Sequence, residues 1–161
     1  MKIVLSGEIH SGKSTIVQKV REDLKMVMIT GIRTWPLYEK KKKTGIYLGS
    51  FSDEKILCAH VNFQKNNRFC DFGVDLEAFN DFGVSLLKKS HLAQLFIIEE
   101  LGLMEAQAHK YVNQIIRVFH DCKNILAVIQ KRALDFWLSK IGKEQINKLY
   151  VVDYSNRDYL P

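Results

Sequence analysis

The chain has 161 residues, 47% hydrophobic and 26% charged, with a formal net charge of +6. This size suits one domain spanning residues 1–161 and large enough to bury a core, and the composition is ordinary for a globular protein, with no low-complexity segment. Three scattered cysteines exclude a disulfide scaffold or a C-x-x-C metal site, and the absence of a long apolar run excludes a membrane span, so a cytoplasmic location with reduced thiols is expected.

Lys2-Ile3-Val4-Leu5 is a short apolar run expected to form a buried strand, which leaves no room for a signal peptide. It enters Gly7-Glu8-Ile9-His10-Ser11-Gly12-Lys13-Ser14-Thr15, which fits the phosphate-loop spacing G-x-x-x-x-G-K-[ST]. Behind it, Ile16, Val17, Val20 and Leu24 share one face of a helix predicted to run to about Lys25. A triphosphate crowds negative oxygens into a small volume. A loop that wraps it needs inward-pointing backbone N–H groups, and glycines allow the close approach. The helix start adds unpaired N–H groups and the positive end of its dipole. Lys13 is expected on the β- and γ-phosphates and the Ser14 hydroxyl on Mg²⁺. These features make ATP or GTP the expected ligand. His10 is expected to be exposed rather than on the γ-phosphate.

Met26-Val27-Met28-Ile29 reads as a second strand. Residues 31–35, 45–48 and 55–61 suggest short antiparallel strands inserted after the first βα unit. Between them lies Lys40-Lys41-Lys42-Lys43. Residues 1–43 hold ten basic and four acidic side chains, against fourteen of each in the remainder, so the whole positive excess lies in this first part. With no aromatic residues interleaved after it, the lysine run reads as a solvated hairpin tip beside an anion site rather than a nucleic-acid surface.

Leu76, Phe79, Gly83, Leu86 and Leu87 recur at helical spacing, with Asp75 as the N-cap. Leu95-Phe96-Ile97-Ile98 is the most continuous buried-strand signal. Ala108, Tyr111, Val112, Ile115, Ile116 and Phe119 then define an amphipathic helix. A strand over 125–129, a helix marked by Leu134, Trp137, Leu138 and Ile141, and a strand over 149–152 follow. The alternation predicts an α/β fold, a central, mainly parallel sheet flanked by helices.

Glu99 and Glu100 follow the Leu95–Ile98 run directly. Two acids at the carboxyl end of a buried parallel strand face the crevice where such sheets bind ligands. In phosphate-loop enzymes the first acid serves the metal side, and a second can deprotonate the attacking water. Glu99 is therefore the expected metal-side acid with Ser14, and Glu100 the expected base with Lys13 as its catalytic partner. Either Arg132 or Arg157 could stabilise γ-phosphoryl charge from within the chain, the alternative for each being a surface arginine.

The segment Glu99-Glu100-Leu101-Gly102-Leu103-Met104-Glu105 resembles the D-E-I-G-K-M-E signature of a small nucleoside-triphosphatase family with archaeal, bacterial and human members. Gly31-Ile32-Arg33-Thr34, Gly45-Ile46, Phe72-Gly73-Val74-Asp75 and Asn156-Arg157-Asp158 match in order, so the resemblance covers nearly the whole chain. It implies a RecA-like phosphate-loop fold and Mg²⁺-dependent hydrolysis of nucleoside triphosphates to diphosphate and phosphate, with broad base tolerance and slow turnover. The chain departs from the family's pattern at three places. Ile9-His10 stands where the family usually has Pro-Gly, Glu99 where it has aspartate, and Leu103 where it has lysine. The alternatives are a nucleotide-binding switch with little intrinsic hydrolysis and a nucleotide or small-molecule kinase.

Overall fold

The computed structural model describes residues 1–156 and Tyr159; Arg157 and Asp158 lie outside the described residues. The chain opens with β1 (Lys2–Gly7), the glycine loop and α1 (Lys13–Asp23). A long hairpin of β2 (Ile29–Glu39) and β3 (Lys42–Ser50) follows, then β4 (Lys55–His60) and the short strands β5 (Arg68–Phe69) and β6 (Phe72–Val74). A π-helical turn (Ala78–Gly83) runs into α2 (Val84–Lys88). Then come β7 (Leu95–Leu101), α3 (His109–Asp121), β8 (Ile125–Gln130), α4 (Leu134–Ile141) and β9 (Lys148–Val152). The nine strands of the described residues form one sheet in the order β5-β6-β4-β3-β2-β7-β8-β1-β9. From β2 to β9 every pairing is parallel, as predicted, while β3 to β6 extend one edge antiparallel.

The parallel strands are buried on both faces because their side chains alternate across the sheet. Val4, Ala127 and Ile129 pack towards α3 and α4, where Ile115, Phe119 and Trp137 are fully buried. Leu5, Leu126 and Val128 face the other way, onto Ile16 and Val17 of α1. The predicted face of α3 is the buried one. Asp75 also acts as predicted, its Oδ1 accepting the N–H of Glu77 at 3.2 Å.

Two departures have local causes. The second strand begins at Ile29 rather than Met26, because the chain first turns off the end of α1. There the N–H of Val27 donates to the Leu24 carbonyl at 2.9 Å, and Met26 is 97% exposed. That apolar stretch is a surface turn. Secondly, β2 runs on through Pro36, beyond Arg33, where its pairing with β7 stops. One side of residues 34–39 therefore carries no ladder, which is where a strand tolerates proline. The β2–β3 hairpin thus overhangs the carboxyl end of the parallel sheet, with Lys40 and Lys41 at its exposed tip. Among the described residues, no helix is long and apolar enough to cross a membrane.

Candidate active site

All parallel strands end on the same edge, so the segments after β1, β7 and β8 meet there although they are far apart in sequence. Residues 7–15 pass from strand to helix in one tight loop. A Cβ on Gly7 would lie 2.3 Å from the Val152 carbonyl oxygen of β9, so only glycine fits at the start of the loop. Gly12 takes a φ of 103° immediately before α1, a left-handed conformation that is strained for other residues. His10 also has positive φ, 65°. It holds the turn in a conformation glycine adopts more easily, and it is exposed, as expected. Ser11 is buried within the loop, while Glu8, Ile9, Ser14 and Thr15 are exposed.

Lys13 is only 6% exposed and braces the loop from inside, its Nζ donating to the carbonyls of Gly7 at 3.1 Å and Glu8 at 2.6 Å. The same ammonium lies 3.5 Å from Oε1 of Glu100. Glu100 reaches it through an irregularity in the sheet. Glu99 pairs with Val128 and Leu101 with Ile129, so Glu100 is skipped by the β7–β8 ladder. Such a bulge redirects a side chain. The sheet thereby brings together the lysine and the acid singled out from sequence. Glu99 takes the other side, lining with Ser14, Arg33 and α1 residues a depression of about 540 Å³.

Three contributors were not foreseen from the sequence. Gln130, at the end of β8, donates through Nε2 to Oε2 of Glu100 at 3.3 Å and accepts from Nε of Arg132 at 3.1 Å. It couples the predicted arginine to the predicted acid. Lys131 donates to Oε1 of Glu8 at 2.7 Å, and this partner holds the exposed Glu8 carboxyl below its ordinary range. Arg33 stacks its guanidinium 4.4 Å from the Trp35 ring centroid beside Glu99, with its Nε buried and unpartnered. Only the strand order β2-β7-β8-β1 makes these residues neighbours.

The turn after Glu100 is fixed from below. The N–H of Gly102 donates to Oε1 of Glu105 at 2.6 Å, and its carbonyl accepts from Nε1 of the buried Trp137 at 2.7 Å. Glu105 is itself 3% exposed. Burial pushes its carboxyl up to about 7 from an ordinary 4.5; the Glu100 charge adds to this, while backbone N–H groups and Arg132 oppose it. Between those two values the folded chain keeps a proton that the unfolded chain releases. The resulting stabilisation is full below about pH 4.5 and is lost as pH rises towards 7, a decline on the order of 3 kcal/mol. Urea unfolding of the wild type should show this decline, and Glu105→Gln, which cannot ionise, should flatten it. Parallel pH profiles for the two proteins would contradict the assignment.

A family model described as NTPase matches residues 2–161. The chain is 25% identical over 161 residues to nucleoside-triphosphatase THEP1 of Thermotoga maritima, covering 99% of this chain and 91% of that protein. In fold it resembles the crystal structure of THEP1 from Aquifex aeolicus, with 24% identity and a TM-score of 0.78, covering 98% of this chain and 93% of the other. It also resembles the solution structure of a human cancer-related nucleoside triphosphatase, with 21% identity and a TM-score of 0.79, covering 99% and 92%. The fold predicted from the sequence is the fold these structures share.

Proposed function

The chain belongs to the NTPase family, and from that membership we propose that it is a single-domain cytoplasmic enzyme that hydrolyses nucleoside triphosphates, ATP and GTP among them, to the diphosphate and phosphate. Mg²⁺ is the proposed cofactor, and nucleotides rather than nucleic acid or membrane are its proposed partners. The observation that carries the reading is the 3.5 Å pair of Lys13 Nζ and Glu100 Oε1 at the mouth of the glycine loop. A γ-phosphate seated on Lys13 meets Glu100 directly, and a water beside that carboxylate is held for in-line attack. Glu100 accepts the water's proton, Lys13 stabilises charge on the β- and γ-phosphates, and the loop amides bind the remaining oxygens.

Ser14 and Glu99 offer two hard oxygen donors lining one depression. Among the described residues no cluster of three or more His, Cys, Asp or Glu could hold a metal by itself. Two protein oxygens suit Mg²⁺, which takes its other ligands from phosphates and water. When bound, it would neutralise charge on the β- and γ-phosphates. Arg132, held by Gln130 on the Glu100 side, is the described arginine best placed to stabilise the charge that develops in transfer.

Phosphate release from ATP, GTP, CTP and UTP, with and without Mg²⁺, tests the reading. All four should be hydrolysed when Mg²⁺ is present, within ~100-fold of one another in kcat/KM, because phosphate contacts dominate and about 2.7 kcal/mol of base-specific contact is not provided. Release from none of them, or a larger preference for one base, would overturn it.

A further inference from the structure

A second pocket opens beside Glu100. It has a volume of about 210 Å³ and lies between the overhanging β2–β3 hairpin, the β5–β6 pair and the turns after β7 and β8. We propose that this pocket binds a small alcohol carrying an anionic group and that the enzyme transfers the γ-phosphoryl group to it, hydrolysis being the same displacement with water in the alcohol's place. The proposal rests on the roles given above to Lys13 and Glu100.

Glu100 lines the pocket, whereas no residue of the glycine loop does. Lys13 meets Glu100 from the loop side. The carboxylate therefore borders both the pocket and the place of the γ-phosphate beside Lys13, so a nucleophile at the pocket's inner end has the base at its side. A nucleobase is separated from the γ-phosphate by the ribose and two further phosphates, so it cannot begin where this pocket begins. An attacking nucleophile must. A space many times the roughly 10–15 Å³ that admits one water is also more than hydrolysis requires.

The walls specify the ligand's chemistry. Lys43 holds its ammonium 5.5 Å from the Phe72 ring centroid, and Arg132 its guanidinium 4.9 Å from that of Phe69. Both cations and both rings line the pocket, together with Trp35 and Met104. Arg132 is tied through Gln130 to the Glu100 end, so the Lys43 ammonium is the cation that offers N–H groups to an anionic substituent further out, and the rings accommodate an apolar or planar body. At the inner end the carboxylate of Glu100 repels an anionic nucleophile and accepts a proton from a neutral one. A hydroxyl group thus attacks, and a phosphate or carboxylate sits at the outer end.

The step balances. The hydroxyl oxygen forms a bond to Pγ as the bond from Pγ to the β–γ bridging oxygen breaks. The hydroxyl proton passes to Glu100, and the nucleoside diphosphate leaves with the bridging oxygen and its electron pair. The products are a phosphomonoester and the diphosphate.

The test measures diphosphate and inorganic phosphate together from ATP and Mg²⁺. Probes are D-glycerate, shikimate and D-pantothenate as anionic alcohols, with glycerol and inositol as neutral ones. With at least one anionic probe, diphosphate should exceed phosphate by about twofold or more, since an alcohol held against Pγ competes at high effective molarity. A new phosphomonoester resonance by phosphorus NMR should account for the difference, and neutral probes should leave the two products equal. Lys43→Ala should lower the ratio of transfer to hydrolysis by about tenfold, the loss of a charged contact to the anion. Equal diphosphate and phosphate with every probe, or an unchanged ratio in Lys43→Ala, would overturn the proposal. If neither product formed at all, the hydrolysis reading itself would fail, and transfer with it.

Discussion

Glu100→Gln should lose roughly 10²–10⁴-fold in turnover while keeping its nucleotide affinity, the usual contribution of one positioned base. The substitution preserves the shape of the side chain and its hydrogen bond with Gln130. It removes the negative charge and with it the ability to take the proton of the attacking water. Binding should hold or tighten, because a carboxylate 3.5 Å from the Lys13 ammonium stands close to the γ-phosphate and repels it in the ground state. Phosphate release under saturating ATP, with affinity measured by calorimetry, separates the two effects. A variant with near-normal turnover would remove Glu100 from the chemistry.

Lys13→Ala should weaken triphosphate binding by roughly 30- to 1,000-fold, about 2–4 kcal/mol for a buried charge that loses its partners. Two effects combine. The ammonium's contact with the β- and γ-phosphates is lost, and Glu100 is left without the cation that offsets its repulsion. The same lysine braces the loop through the Gly7 and Glu8 carbonyls, so the empty protein should also melt at a lower temperature. Lys13→Arg keeps the charge and serves as the comparison. Calorimetry with ATP decides the matter, and unchanged affinity in Lys13→Ala would show that the loop is not the site.

How far this site can be read from sequence depends on how local each part is. The glycine loop is contiguous, so the spacing of Gly7, Gly12, Lys13 and Ser14 can be read directly along the chain. Glu99 and Glu100 follow the strongest buried-strand signal, so their place at a carboxyl edge was legible too. Gln130, Lys131 and Arg33 were not, because nothing near them in sequence marks them. They reach the site only through the order in which β2, β7, β8 and β1 are laid side by side. The bulge that turns Glu100 towards Lys13 depends on pairing register, which a single strand does not encode. Met26 shows the opposite error, in which apolar letters at a surface turn mimic the start of a buried strand. The lysine run at 40–43 was readable as a hairpin tip. The aromatic wall beside Lys43 was not, since Phe69 and Phe72 arrive from a separate pair of strands.

Glu99 and Glu100 are adjacent in sequence yet lie towards different cavities, so the two acids should fail in different ways. Phosphate release from ATP, titrated with Mg²⁺ in the wild type, Glu99→Gln and Glu100→Gln, is the most direct measurement. Glu99→Gln should show a raised Mg²⁺ requirement and recover part of its rate at high Mg²⁺, whereas Glu100→Gln should stay low throughout. If the two variants responded alike, the division of metal and base roles between these acids would be contradicted.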